Sequence, residues 1–246
     1  MSIAEKLTAI AENEQKVFDA GKKAGYDAFW DNYQLNGNRQ FYSGAFSGGG
    51  WHKDTFYPKY NIVSGRYSAA SMFGNFNYAT EYGLFDLEAR LQELGITIDI
   101  INANQTTHMF QNAQISVVPE LDFTKVGTIQ YLCNDSKIQV FRKLKVNEST
   151  KYVNNFNNCT NLTDITFDGV IGQAGLDLHW STSLSRASIE NIINCLSTTT
   201  SGLAVTLSLA AVKKAFETSS GANNGNTSAD WLALSGTKSN WTITLS

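Results

Sequence analysis

Proline is almost missing from this chain, with two in 246 residues, which excludes a proline-rich linker or tail. Charge is also sparse. Nineteen basic and 22 acidic side chains leave a net charge of -3, so the broad positive field that holds phosphate backbones is lacking and no nucleic-acid partner is expected. Cys133, Cys159 and Cys195 include no C-x-x-C pair, and none of His52, His108 and His179 has a second ligand three or four residues on. The thiols therefore read as reduced core residues, and no metal is expected. No apolar run approaches membrane-spanning length, so membrane insertion is not expected. The opening MSIAEKLTAI lacks the basic region, apolar core and cleavage site of a secretory signal, so Sec export is not expected either. Nucleophile-elbow, Walker, H-E-x-x-H and dinucleotide-binding motifs are all absent. The pairs Asp164 with Asp168 and Glu120 with Asp122 read as solvated face residues, and the chain is expected to be non-catalytic and to take no cofactor.

What is present is a turn-rich globular composition. Hydrophobic residues make up 42% of the chain, enough for a sizeable core, and 19 glycines with abundant Asn, Ser and Thr mark many turns. Residues 1–35 read as a helix that begins with the capping box Ser2 and Glu5. Ile3, Leu7, Ile10 and Val17 lie on one stripe of it, which serves either for homo-oligomer formation or for packing on its own domain. Residues 36–60 form an aromatic and glycine-rich junction, whose SGGGW run permits turns beside Phe46 and Trp51 and lacks the Lys-Ser/Thr of a phosphate loop.

From residue 61 to 246 the pattern is repetitive. Ile98-Asp99-Ile100, Leu121-Asp122-Phe123 and Leu144-Lys145-Val146 follow one another at 23 residues, and Ile165-Thr166-Phe167 comes 21 later. A second set keeps phase: Phe110, Cys133 and Phe156, then Ile115, Ile138 and Leu162, then Val118, Phe141 and Ile165. Such spacing turns several apolar side chains of each unit against the matching positions of its neighbours. Leu121, Leu144 and Ile165 are expected to stack as consecutive rungs. Downstream, Ser185 to Leu196 and the AAVKKAFE segment have helical character, Leu176 to Leu178 and Val205 to Leu209 read as strands, and Trp241, Ile243 and Leu245 read as a closing strand. The stretch from Thr218 to Asp230 is expected to be polar and mobile.

The segments Met109 to Thr124 and Asn155 to Ile165 resemble BspA-like leucine-rich repeats, most clearly over residues 96–180. The start of the chain resembles the N-terminal module attached to such repeats in proteins of gut Firmicutes and their prophages. The resemblance implies an α/β leucine-rich-repeat solenoid with a curved sheet, preceded by an N-terminal helix. It implies adhesion or receptor binding, with a surface glycan or protein receptor as partner. A chain that is not exported suits attachment to a virion or extracellular particle after synthesis in a bacterial cytoplasm. A bacterial cell-surface adhesin is the alternative, and a carbohydrate-active enzyme the third reading.

Side chains alternate along a strand, so if the outer residues of each short piece point inward the middle ones share the opposite face. That face comprises Asp99, Asp122, Lys145, Thr166 and Asp177, flanked by Glu120, Lys143 and Asp164, with Trp180 as an aromatic anchor. These are the expected ligand-binding residues, weighed against a face that is merely solvated.

Overall fold

The computed structural model describes residues 13, 20, 21, 46–48, 56, 58, 61–63, 69–77, 83–100, 103, 106–219 and 224–246. The stripe of Ile3, Leu7, Ile10 and Val17 and most of the aromatic junction, Trp51 included, lie outside the described residues. In chain order the elements begin with β1 (Ile62–Val63), β2 (Phe85–Asp86), α1 (Leu87–Leu94), β3 (Ile98–Asp99), β4 (Ile115–Val118), β5 (Leu121–Asp122), β6 (Thr128–Gln130) and β7 (Val140–Val146). They continue with β8 (Lys151–Val153), β9 (Asp164–Gly169), β10 (Asp177–Leu178), α2 (Arg186–Cys195), β11 (Leu203–Leu207), α3 (Leu209–Ala215), a 3-10 turn (Gly225–Thr227), α4 (Ala229–Gly236) and β12 (Trp241–Leu245).

The 23-residue step reappears as strand register. Leu121 faces Leu144 and Asp122 faces Lys145 between β5 and β7, Val117 faces Val140 between β4 and β7, and Thr128 faces Lys151 between β6 and β8. The step of 21 does not. Phe141 faces Ile165 and Leu144 faces Phe167, so Arg142 and Lys143 together oppose Thr166 alone, a bulge in β7. The rungs are thus Val118–Phe141–Ile165 and Leu121–Leu144–Phe167, which corrects the expected Leu121–Leu144–Ile165 stack.

The expected leucine-rich-repeat solenoid with one curved sheet is also corrected. All described strand pairs are parallel, and they distribute over four separate sheets: β1-β3, β2-β4-β7-β5 with β9 on β7, β6-β8, and β10-β11-β12. The arrangement is α/β and Rossmann-like, with four α-helices among the described residues. One local cause is visible at β9. Its outer edge meets helix α2 rather than another strand: the Ile165 amide donates to Ser188 Oγ at 2.9 Å, the Phe167 amide to Asn191 Oδ1 at 2.7 Å, and Asn191 Nδ2 returns a bond to the Phe167 carbonyl at 3.1 Å. Side chains thereby satisfy the edge that a further strand would need, and the sheet stops there.

Helix α2 starts where Ser185 accepts the Ser188 amide, and its buried face is Ser188, Ile189, Ile192 and Ile193. Lys238, itself buried, donates to the carbonyls of Asn194 and Leu196 at its far end, where a cation suits the helix dipole. Two helices escape the repeat spacing although both carry a local signal. Asp86 caps α1 through the Ala89 amide at 2.8 Å and Gly95 closes it at φ 66°, while Ser228 caps α4 through the Trp231 amide at 3.1 Å. The Thr218–Asp230 stretch is partly structured, since Thr218 and Asn224 bond each other twice and lead into the 3-10 turn.

Aromatic rings run through the core. Phe46 stacks on Phe73 at 5.0 Å and Phe73 on Phe110 at 5.3 Å, and Phe141 then meets Phe110 and Phe156 edge-on at 6.1 and 6.0 Å. Chain reversals between these layers use left-handed backbone at two sets of positions, Ser71, His108, Tyr131 and Asn154, and Asn75, Asn112, Asp135 and Asn158, with φ of 47–59°. Short polar side chains tolerate that conformation best, which explains the density of Asn and Asp there.

Tyr152 carries one of the buried polar groups that lack a partner among the described residues. Its ring is buried against Phe167, and its hydroxyl has no hydrogen-bond partner among the described residues. Burial pushes the phenol well above the ordinary tyrosine range. Because the folded state holds this proton more tightly than the unfolded chain, the stability it gives is complete below the ordinary tyrosine pKa and is lost as pH rises beyond it toward the folded value. Tyr152→Phe is expected to leave stability unchanged or raise it by up to about 1 kcal/mol at neutral pH, since an unsatisfied hydroxyl is removed. The variant should also lose less stability than the parent on going to about pH 11. Urea denaturation at both pH values checks this, and destabilisation at neutral pH would show that the hydroxyl is bonded.

Candidate functional site

Four of the six expected residues come into one neighbourhood. Asp122 and Lys145 are register partners on β5 and β7, and Lys145 in turn faces Asp168 on β9. Exposed Asp99 sits on β3, which lies against β5. Thr166 is exposed opposite the bulge, beside Arg142 and Lys143. Asp177 and Trp180 stand apart: β10 belongs to the sheet with β11 and β12, where Asp177 faces Thr206. The expected patch of Lys145, Asp122 and Trp180 is therefore divided between two sheets.

On the first of these surfaces the charges are paired with one another. Lys145 forms an ion pair with Glu120, and Lys143 reaches Glu120 at 3.4 Å and Asp168 at 3.9 Å. The Lys145 ammonium, then Lys143, holds the Glu120 carboxyl below the usual range, and Glu120 raises Lys145 in return. Arg142 pairs outside this row, with Glu88 at 2.7 Å. Asp122 turns its carboxylate back onto Thr124, accepting the backbone amide at 2.9 Å. Asp168 joins the row through the bulge, which is why spacing alone assigned it no place there. Exposed pairs of this kind add little to stability.

The second surface is built locally after β10. Asp177 Oδ1 accepts both the backbone amide of His179 at 3.1 Å and its Nδ1 at 2.7 Å. His179 lies against the Trp180 indole with ring centroids 4.7 Å apart, and the indole remains 45% exposed. A chain of three residues thus fixes an exposed aromatic ring from behind. Gly175 makes the approach possible: at φ +97°, it sets its Cα so close to the Tyr152 carbonyl that a Cβ would lie 2.2 Å from it.

The neighbouring chain turn adds polar groups. Ser181 Oγ donates to the Cys159 carbonyl at 3.2 Å, placing Trp180 beside the turn that carries Asn158, whose Nδ2 donates to Asp135 at 2.8 Å. Further along, His108 and Tyr131 stack with their planes 1° apart, and Asn154 Nδ2 donates to the Tyr131 hydroxyl at 3.3 Å. The histidines and asparagines of these turns look unrelated in sequence. Their signal is the 23-residue recurrence of left-handed positions, visible as Tyr131 with Asn154 and Asp135 with Asn158.

Among the described residues no cluster of three or more His, Cys, Asp or Glu has metal-binding geometry, and no helix is long and apolar enough to cross a membrane. No family model matches the chain, and neither a curated protein nor a solved structure does.

Proposed function

We propose that this chain is a non-catalytic recognition protein that binds a surface glycan or receptor through the Trp180 platform. The observation that carries the reading is the Asp177–His179–Trp180 arrangement: a half-exposed indole held in place before any ligand arrives. An aromatic face packs against the C–H face of a sugar ring, and a ring already immobilised loses little further freedom on binding. The amides and carboxylates of Asn158, Asp135 and Asn154 are suited to the hydroxyls of such a ligand. The resemblance of Met109–Thr124 and Asn155–Ile165 to BspA-like repeats points to the same broad role. We further propose that the protein acts on a virion or extracellular particle, with a bacterial cell-surface adhesin as the alternative.

A glycan array and whole-cell binding test the site. Trp180→Ala is expected to weaken binding by about 30-fold or more, as loss of an anchor residue does, while Asp122→Ala with Lys145→Ala leaves the larger part of the affinity. A folded Trp180→Ala variant that binds like the parent removes the platform from the reading, and loss only in the Asp122/Lys145 variant moves the site to the charged row. Hydrolysis of any glycan in the panel would overturn the non-catalytic assignment.

A further inference from the structure

Cys133 and Cys159 are separated by 26 residues in the chain, yet their sulfurs lie 3.2 Å apart in the core. Both residues are fully buried. Cys133 belongs to the turn after β6 and Cys159 to the turn after β8. The two chain turns are held together by backbone, since the Cys133 amide donates to the Asn155 carbonyl at 3.1 Å. Each thiol also has its own anchor: Cys133 Sγ donates to that same Asn155 carbonyl at 3.3 Å, and Cys159 Sγ donates to the Cys133 carbonyl at 2.8 Å. The sulfurs are therefore held at close range by bonds that do not depend on each other.

From this geometry we infer that Cys133 and Cys159 form a latent cross-link site, at which a small peroxide oxidant converts the dithiol to a disulfide that ties adjacent chain turns. The sulfurs need to approach by only about 1.2 Å to reach bonding distance. The third cysteine has no such neighbour in bonding range. Cys195 Sγ contacts the Phe167 carbonyl at 3.5 Å, on the far side of the β9 edge.

The step balances with hydrogen peroxide as the named oxidant. One thiol, losing its proton, attacks a peroxide oxygen, breaking the O–O bond to give a sulfenic acid and water. The second sulfur then attacks the sulfenic sulfur, forming the S–S bond and releasing a second water. Two thiols are oxidised by two electrons and one peroxide is reduced to two waters. A polar oxidant also finds a polar group at the site. The side-chain amide of Asn155, the residue whose carbonyl receives the Cys133 thiol, is fully buried, and neither its oxygen nor its nitrogen has a partner among the described residues. Such a group offers hydrogen bonds to a small polar molecule that reaches it. Burial raises the Cys133 thiol well above its ordinary range, so oxidation is slow and depends on sustained exposure rather than on a reactive thiolate. A protein made in a reducing compartment would fold with both thiols free and be locked after reaching an oxidising one.

The bond would enclose β7, the strand that joins β4, β5 and β9 in one sheet. Its expected effect is a rise in melting temperature of roughly 5–10 °C, reversed by dithiothreitol, from restriction of the unfolded chain. The test is incubation of the full folded chain with hydrogen peroxide, followed by intact mass, non-reducing peptide mapping and thermal melting. The expected product has lost two hydrogens, links the Cys133 and Cys159 peptides, and leaves Cys195 open to alkylation after unfolding. Cys195→Ser should cross-link like the parent, and Cys159→Ala should show neither the linkage nor the melting shift. A linkage that includes Cys195, a product carrying only added oxygen, or unchanged thiols after Cys195 has been oxidised would each overturn the inference.

Discussion

Phe141→Ala is expected to cost about 3–5 kcal/mol, the range for removing a buried phenylalanine from a close-packed core. Phe141 is 1% exposed, and its ring makes edge contacts with both Phe110 and Phe156. Its backbone lies between two strands, facing Val118 on β4 and Ile165 on β9. Val118 and Ile165 are tied into the flanking strands by register, so the cavity is expected to persist in large part. Val140→Ala, at a half-buried position one residue earlier, should cost about 1 kcal/mol. Denaturant unfolding of the two variants measures the difference. A loss below about 1.5 kcal/mol for Phe141→Ala would mean that the ring does not sit at the centre of the core.

Gly169→Ala is expected to be comparably damaging for a different reason. Gly169 ends β9 as the register partner of Val146, at φ +120°, and a Cβ there would stand 2.0 Å from the Val146 carbonyl oxygen. Backbone strain of about 1–3 kcal/mol combines with a steric overlap of about 1–3 kcal/mol. Because the obstructing atom belongs to the backbone, no rotamer change relieves it. Gly202 is the comparison: its φ is +74° and a Cβ would meet nothing within 4 Å. Gly202→Ala should therefore cost only the left-handed penalty of about 1–2 kcal/mol. Equal losses for the two variants, measured by the same unfolding method, would show that the close approach of β7 and β9 at this end is absent.

The 23-residue step is legible because parallel neighbours repeat the same apolar positions, and it gives the partners of Leu121 and Val118 directly. Helix α2 was legible from Ile189, Ile192, Ile193 and Leu196, although its edge-capping residues Ser188 and Asn191 were not, since nothing in a helical period marks a side chain that substitutes for a strand. The sequence singles out Trp180 as an aromatic anchor but does not show the residues that hold its ring. Strand alternation puts Asp177 in a row with Lys145, whereas its carboxylate holds His179. The cysteines were rightly placed among apolar positions, and Cys133 and Cys159 are fully buried. Their contact was out of reach because they occupy different slots of neighbouring units, 26 residues apart rather than 23.

Local terms are written along the chain: which residues are apolar and at what interval, where turns fall, and which short segments start helices. Those quantities depend on the chemistry of a residue and its near neighbours along the chain. How the intervals close is set by contacts between distant parts of the chain. The bulge that sets Arg142 and Lys143 against Thr166, the end of the sheet at β9, the division of Asp122 and Lys145 from Trp180, and the meeting of two thiols each depend on where one chain turn comes to rest on another. A single inserted residue shifts every later partner, and a periodic pattern cannot show whether that residue is absorbed in a bulge, a loop or a new sheet.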